Sequence, residues 1–146
     1  MRWMLFAALI GCGHPAPLPN PPAVAAHAPP DAAPDAPLDE DLPRLAERST
    51  ELYRELAVAV GSAGDCAAAA DKLEALTTTY AEVIDASARL KRGDHAKVAQ
   101  LQLALALHQR ELAAAAKAIE AAPIIAQCAH DDRFVAALDK LAGAAP

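Results

Sequence analysis

The chain has 146 residues, a formal net charge of −6, 54 % hydrophobic residues and 3 % aromatic residues. This acidic balance argues against a nucleic-acid partner, whose phosphates demand clustered Lys and Arg, and the few aromatics argue against a base-stacking platform. Much of the apolar fraction is alanine, which favours helix but adds little buried area per residue, so thin, closely packed helices are expected.

At the start of the chain, Met1 and Arg2 form a short positive region and Trp3 to Ile10 an unbroken apolar run. Such a run reaches only about 12 Å as a helix, whereas a hydrocarbon core of roughly 30 Å needs about 20 residues. It therefore predicts a removable export signal over residues 1–11 rather than a spanning helix.

Leu9-Ile10-Gly11-Cys12 follows the run, and this segment resembles the lipobox of bacterial lipoproteins. The resemblance covers the first dozen residues. It implies that Cys12 receives a diacylglyceryl group on its thiol, becomes the first mature residue and is acylated on its amino group. Two or three acyl chains, at about 0.8 kcal/mol per buried methylene, make a stable anchor where one is marginal. The other reading of the same residues is an ordinary secretory signal cut nearby, with Cys12 left as a thiol. Gly13 stands where an Asp would favour retention at the inner membrane, so the resemblance favours the outer membrane, facing the periplasm or the surface. Loss of residues 1–11 removes Arg2 with them, taking the formal charge from −6 to about −7, and leaves no Trp and no Met.

Residues 12–38 hold nine of the prolines, from Pro15 to Pro37, among Ala and a few polar residues. Proline removes backbone donors and holds its predecessor extended, so a disordered, polyproline-like tether is expected, with a reach of about 80 Å at roughly 3.1 Å per residue. A proline motif read by a partner is the alternative, without a clean basic PxxP to support it.

From Asp39 apolar residues recur at spacings of three and four, which predicts an all-α domain over residues 39–146. The first helix aligns Leu42, Leu45, Ser49, Leu52, Leu56 and Ala59, and stops between Gly61 and Gly64. Asp65 is placed to cap a second helix that keeps Cys66, Ala69, Leu73, Leu76, Tyr80, Val83, Ser87 and Leu90 in line to Gly93. Asp94 begins a third, with Val98, Leu101, Leu105, His108, Leu112, Ala115 and Ile119 in line. Pro123 suits the first turn of a fourth, carrying Ile124, Cys128, Asp131 or Phe134, Leu138 and Leu141 to Gly143. Short connections predict an antiparallel up-down-up-down four-helix bundle. That plan resembles, in architecture and rough length, the exported four-helix proteins of the cytochrome b562 kind. Their haem ligands, a Met and a His, are not matched, because the mature chain has no Met, and no cofactor is expected.

In this topology Cys66 and Cys128 lie at one end of the bundle, each within a turn of a helix start. An exported chain folds where disulfides persist, and with Cys12 assigned to lipid these two are the remaining pair, so a bridge is expected, against two separate buried thiols. His108 falls on a core position near the level of Tyr80, with Tyr53 at a similar height, which predicts a buried polar layer in which a Tyr hydroxyl meets the imidazole. The same three residues offer the alternative of a small-ligand or metal site in the bundle interior. His108-Gln109-Arg110-Glu111 reverses the Glu-x-x-His order of di-iron bundles and occurs once, and H-E-x-x-H is absent. His130-Asp131-Asp132 reads as an acidic helix start rather than as a cation site. Without a nucleophile and base arrangement in view, the expectation is a non-enzymatic, membrane-anchored module with a protein partner in the envelope.

Overall fold

The computed structural model describes residues 36–93 and 95–142. The chain separates into two units, Met1–Asp31 and Ala32–Pro146, and the described residues belong to the second. The expected export signal over residues 1–11, Cys12 and most of the proline segment therefore lie outside the described residues, as do Asp94 and Gly143.

The described residues are all-helical: α1 (Leu42–Gly61), α2 (Cys66–Thr79), α3 (Ala81–Gly93), α4 (His95–Ala106), α5 (Gln109–Ala121), α6 (Pro123–Gln127) and α7 (Asp132–Ala142). Each expected long helix after the first is interrupted once. At the end of α2, Thr77, Thr78 and Thr79 each turn their hydroxyl back to the carbonyl four residues earlier, at 2.9, 3.1 and 3.0 Å, a competition with the ladder that bends helices. Tyr80 stands in the joint and still accepts from the N–H of Ile84, so α3 continues from α2. Between α4 and α5 the N–H groups of Leu107 and His108 bond three residues back instead of four, a tightened turn. Between α6 and α7 the Asp131 carboxylate accepts from the Phe134 N–H at 2.8 Å and caps a new helix. Asp131 is thus a cap rather than a core residue, and Phe134 takes the core position.

Two helix starts are capped by aspartates, and for Asp65 this is the role expected from the sequence. Asp41 accepts from the Arg44 N–H at 3.2 Å ahead of Pro43, and Asp65 accepts from the Ala68 N–H at 2.8 Å. Leu42, Leu45, Ser49, Leu52, Leu56 and Ala59 of α1 are all buried, as are Ala69, Leu73, Leu76, Tyr80, Val83, Ser87 and Leu90 of α2–α3. The packed unit starts before residue 39: Leu38, read in sequence as part of the tether, is 3 % exposed and belongs to the core. Leu38 stands four residues before Leu42, in line with the buried face of α1, and Pro37 beside it masks that spacing.

The direction of each segment follows from its polar contacts. Arg89 of α3 donates to both oxygens of Asp39, at 2.8 and 3.2 Å, and Lys72 of α2 donates to Ser62. α2–α3 therefore runs back along α1. The closest packing is nevertheless not between chain neighbours: α4 and α5 lie along α1, and α7 lies along α2. Lys97 reaches the Asp39 carbonyl and Glu111 reaches Arg54, so the α4–α5 segment runs in the same direction as α1. Arg133 of α7 likewise meets Asp71 and Glu74 beside the Cys66–Cys128 pair, so α7 descends with α2.

Candidate functional site

Cys66 and Cys128 are brought together as expected, with sulfurs 2.08 Å apart and α-carbons 5.5 Å apart, at disulfide distance. Cys128 is the C-cap of α6 and has no exposed surface, while Cys66 opens α2. One turn further along, Arg133 forks onto α2, donating to Glu74 at 2.8 and 2.6 Å and to Asp71 at 2.6 Å. This hydrogen bonding holds the Glu74 carboxyl below its ordinary pKa and raises the pKa of the guanidinium, chiefly through Glu74 and then Asp71. Sequence reasoning did not find this clamp, because exposed partners some 60 residues apart leave no periodic signal.

Tyr53, Tyr80 and His108 do not form one layer. Tyr80 is buried against α1, with the Arg48 guanidinium 4.9 Å from its ring centroid and above it. Burial first, and then a hydrogen bond to Glu55 and the charges of Glu55 and Glu51, push its phenol up to about 12 against the opposing pull of Arg48. Tyr53 points elsewhere, into a narrow cleft of about 160 Å³ that it shares with Leu52 and Leu56 of α1, Ile119 of α5 and Leu138 and Leu141 of α7. Burial raises its pKa too. His108 is half-buried in the α4–α5 joint and borders an open hollow formed by its own neighbours, including Leu107, Gln109 and Glu111. The expected core position of His108 is therefore corrected: it stands half-buried in the tightened turn between α4 and α5 and is not part of the core. An interior ligand site built on these three residues loses its geometry. No group of three His, Cys, Asp or Glu side chains that could hold a metal ion occurs among the described residues.

The Tyr80 environment carries a pH prediction. The phenol ionises near 10 when unfolded and near 12 when folded, so the folded state disfavours the phenolate. Its contribution to stability is complete below pH 10 and is lost as the pH rises from 10 to 12, with a slope approaching 1.4 kcal/mol per pH unit. Spectrophotometric titration of phenolate should show Tyr80 ionising last, together with loss of helical signal. Ionisation of both tyrosines at pH 10 in the folded protein would contradict this.

Two surfaces remain. A groove of about 490 Å³ between α1 and α2 has Val58, Ala59, Ala75 and Leu76 along its floor, with Glu55 and Lys72 on its walls. Elsewhere, Leu103 of α4 and Leu107 in the turn after it are 73 % and 86 % exposed. The reason lies in local sequence: leucines occur at 101, 103, 105 and 107, and alternate residues of a helix lie about 200° apart, so all four cannot share a face. Leu101 and Leu105 are buried, which leaves the other two outside. From Val98 to Gln109 the chain carries no Asp, Glu, Lys or Arg. This face was not singled out in sequence, although the alternation was the signal that could have found it.

No protein-family model, curated protein or solved structure matches this chain. No helix among the described residues is long and apolar enough to cross a membrane.

Proposed function

We propose that this chain is a lipid-anchored envelope protein, held by acyl chains on Cys12, whose proline-rich tether presents a disulfide-closed, up-down-up-down four-helix bundle that works by protein contact rather than catalysis. The four helices of that plan are α1, α2–α3, α4–α5 and α6–α7. The single observation that carries the contact reading is the outward apolar face of α4. Leu103 and Leu107, four residues apart at the end of α4 and in the turn after it, put two large apolar side chains in solvent on a stretch without Asp, Glu, Lys or Arg, an exposure that suits a contact surface. The anchor rests on the likeness of Leu9 to Cys12 to a lipobox, and on a tether long enough to stand the bundle clear of the membrane.

Two measurements test this. Mass spectrometry of protein extracted from membranes is expected to show a mature chain starting at Cys12 with added acyl mass, and Cys12→Ser is expected to abolish that mass and release the protein from the membrane fraction. An unmodified Cys12 would overturn the anchor. A photo-crosslinking residue at position 103 is expected to capture a protein in intact cells where one at position 58 captures none; equal, absent capture at both would overturn the contact reading.

A further inference from the structure

Two of the closest packings in the molecule leave a gap between them. α5 lies along α1 and α7 along α2, whereas α7 packs closely on neither α1 nor α5. The gap is the cleft of about 160 Å³ on which Leu52, Tyr53 and Leu56 of α1, Ile119 of α5 and Leu138 and Leu141 of α7 converge. Leu52, Leu56 and Leu141 are buried, and Tyr53, Ile119 and Leu138 are half-buried.

Unfilled space among large apolar side chains costs stability in proportion to its volume, so a molecule that fits the cleft stabilises the fold. Water is a poor occupant. It needs about two to four polar partners to be held in a protein interior, and the lining offers one hydroxyl. A compact apolar molecule is a better one, since apolar cavities of roughly 150 Å³ stay dry and take up benzene.

The Tyr53 hydroxyl narrows the choice. Among the described residues it has no hydrogen-bond partner, and burial raises its pKa, so at neutral pH it is a protonated donor without an acceptor. None of the lining side chains carries a charge, so an ionised ligand would lose its hydration and gain no counter-charge.

We propose that this cleft is a binding site for a neutral compound the size of one aromatic ring, with a single acceptor oxygen that takes the hydrogen bond from Tyr53. Such a molecule bridges α7 to α1 and α5 where the chain itself does not. The site involves neither Leu103 nor Leu107, and the contact reading neither supports it nor depends on it.

The test uses the full chain with Cys12→Ser, labelled on its isoleucine methyl groups, and the matched probes toluene and benzyl alcohol, which differ by one hydroxyl. Benzyl alcohol at millimolar concentration is expected to shift the Ile119 methyl resonance saturably, to leave that of Ile84 in place and to raise Tm. Tyr53→Phe is expected to weaken benzyl alcohol about fivefold, the factor for one ordinary hydrogen bond, and to leave toluene unchanged. Leu138→Phe fills the cleft from α7 and is expected to abolish both responses. No saturable shift of Ile119 with either probe overturns the site. Binding of toluene alone, or benzyl alcohol binding that Tyr53→Phe leaves unchanged, overturns the role of Tyr53 and with it the ligand class. Binding that survives Leu138→Phe puts the probes elsewhere and overturns the inference as well. Capture at position 103 in cells is read separately, so failure here and failure of the contact reading are distinct results.

Discussion

Reduction of the Cys66–Cys128 pair is expected to lower the unfolding free energy by about 4 kcal/mol. The two residues are separated by 62 positions, and by the loop-entropy relation a closure of that length removes roughly this much freedom from the unfolded chain. For a domain whose whole stability is of order 5–15 kcal/mol, the loss is a large fraction, equivalent to roughly 15–30 °C in Tm at this size. The structure adds a local reason for concern beyond entropy. Cys128 has no exposed surface, so a reduced thiol there sits in the core as a small hydrophobe with its former partner free to move away. Thermal unfolding of native and reduced protein, or of Cys66→Ser with Cys128→Ser, checks this. Two readily alkylated thiols in the native protein, or a Tm that does not move on reduction, would overturn it.

Phe134→Ala is expected to cost about 3–5 kcal/mol, the range for truncating a large buried aromatic. Phe134 is 1 % exposed and stands one residue after Arg133, on the helix that packs along α2. Its loss leaves a cavity that neighbours cannot readily fill, because the start of α7 is pinned just before it by the Asp131 cap and the Arg133 fork. Val135→Ala, one position on and 36 % exposed, is expected to stay within about 0.5 kcal/mol and serves as the comparison. The two large effects should couple, since the bridge and Phe134 both hold the α6–α7 segment to α2: the sum of the separate losses should differ from the loss in the reduced variant by more than about 0.5 kcal/mol. Denaturant unfolding in oxidised and reduced buffer measures this, and a cost below 1 kcal/mol for Phe134→Ala would show that α7 contributes little to the fold.

The helices were legible because short-range chemistry announces them. Asp65 and Pro123 each mark a start through a cap or a fixed φ, and the spacing of Leu42 through Leu56 or Ala69 through Leu90 marks a buried face. The interruptions were not legible with the same ease. Three consecutive threonines, a tightened turn at Leu107 and the recapping by Asp131 break helices without disturbing the hydrophobic period, so the core residues on either side still fall in line. The price of that invisibility falls on His108, whose in-line position in the sequence is half-buried in a joint in the structure.

By itself the sequence determined the helical class, the starts of the segments and nearly all of the buried face of α1 to α3, since each depends on residues a turn or so apart. It also carries, from Leu9 to Cys12, a segment that resembles a lipobox, and with Cys12 set aside on that likeness it offers Cys66 and Cys128 as the disulfide pair. Only tertiary structure decided which segments pack most closely, that Arg133 bridges to Asp71 and Glu74, and that Tyr53 and Tyr80 face different neighbours. Those outcomes depend on which helix comes to lie alongside which, and that is set by packing between residues distant in the chain.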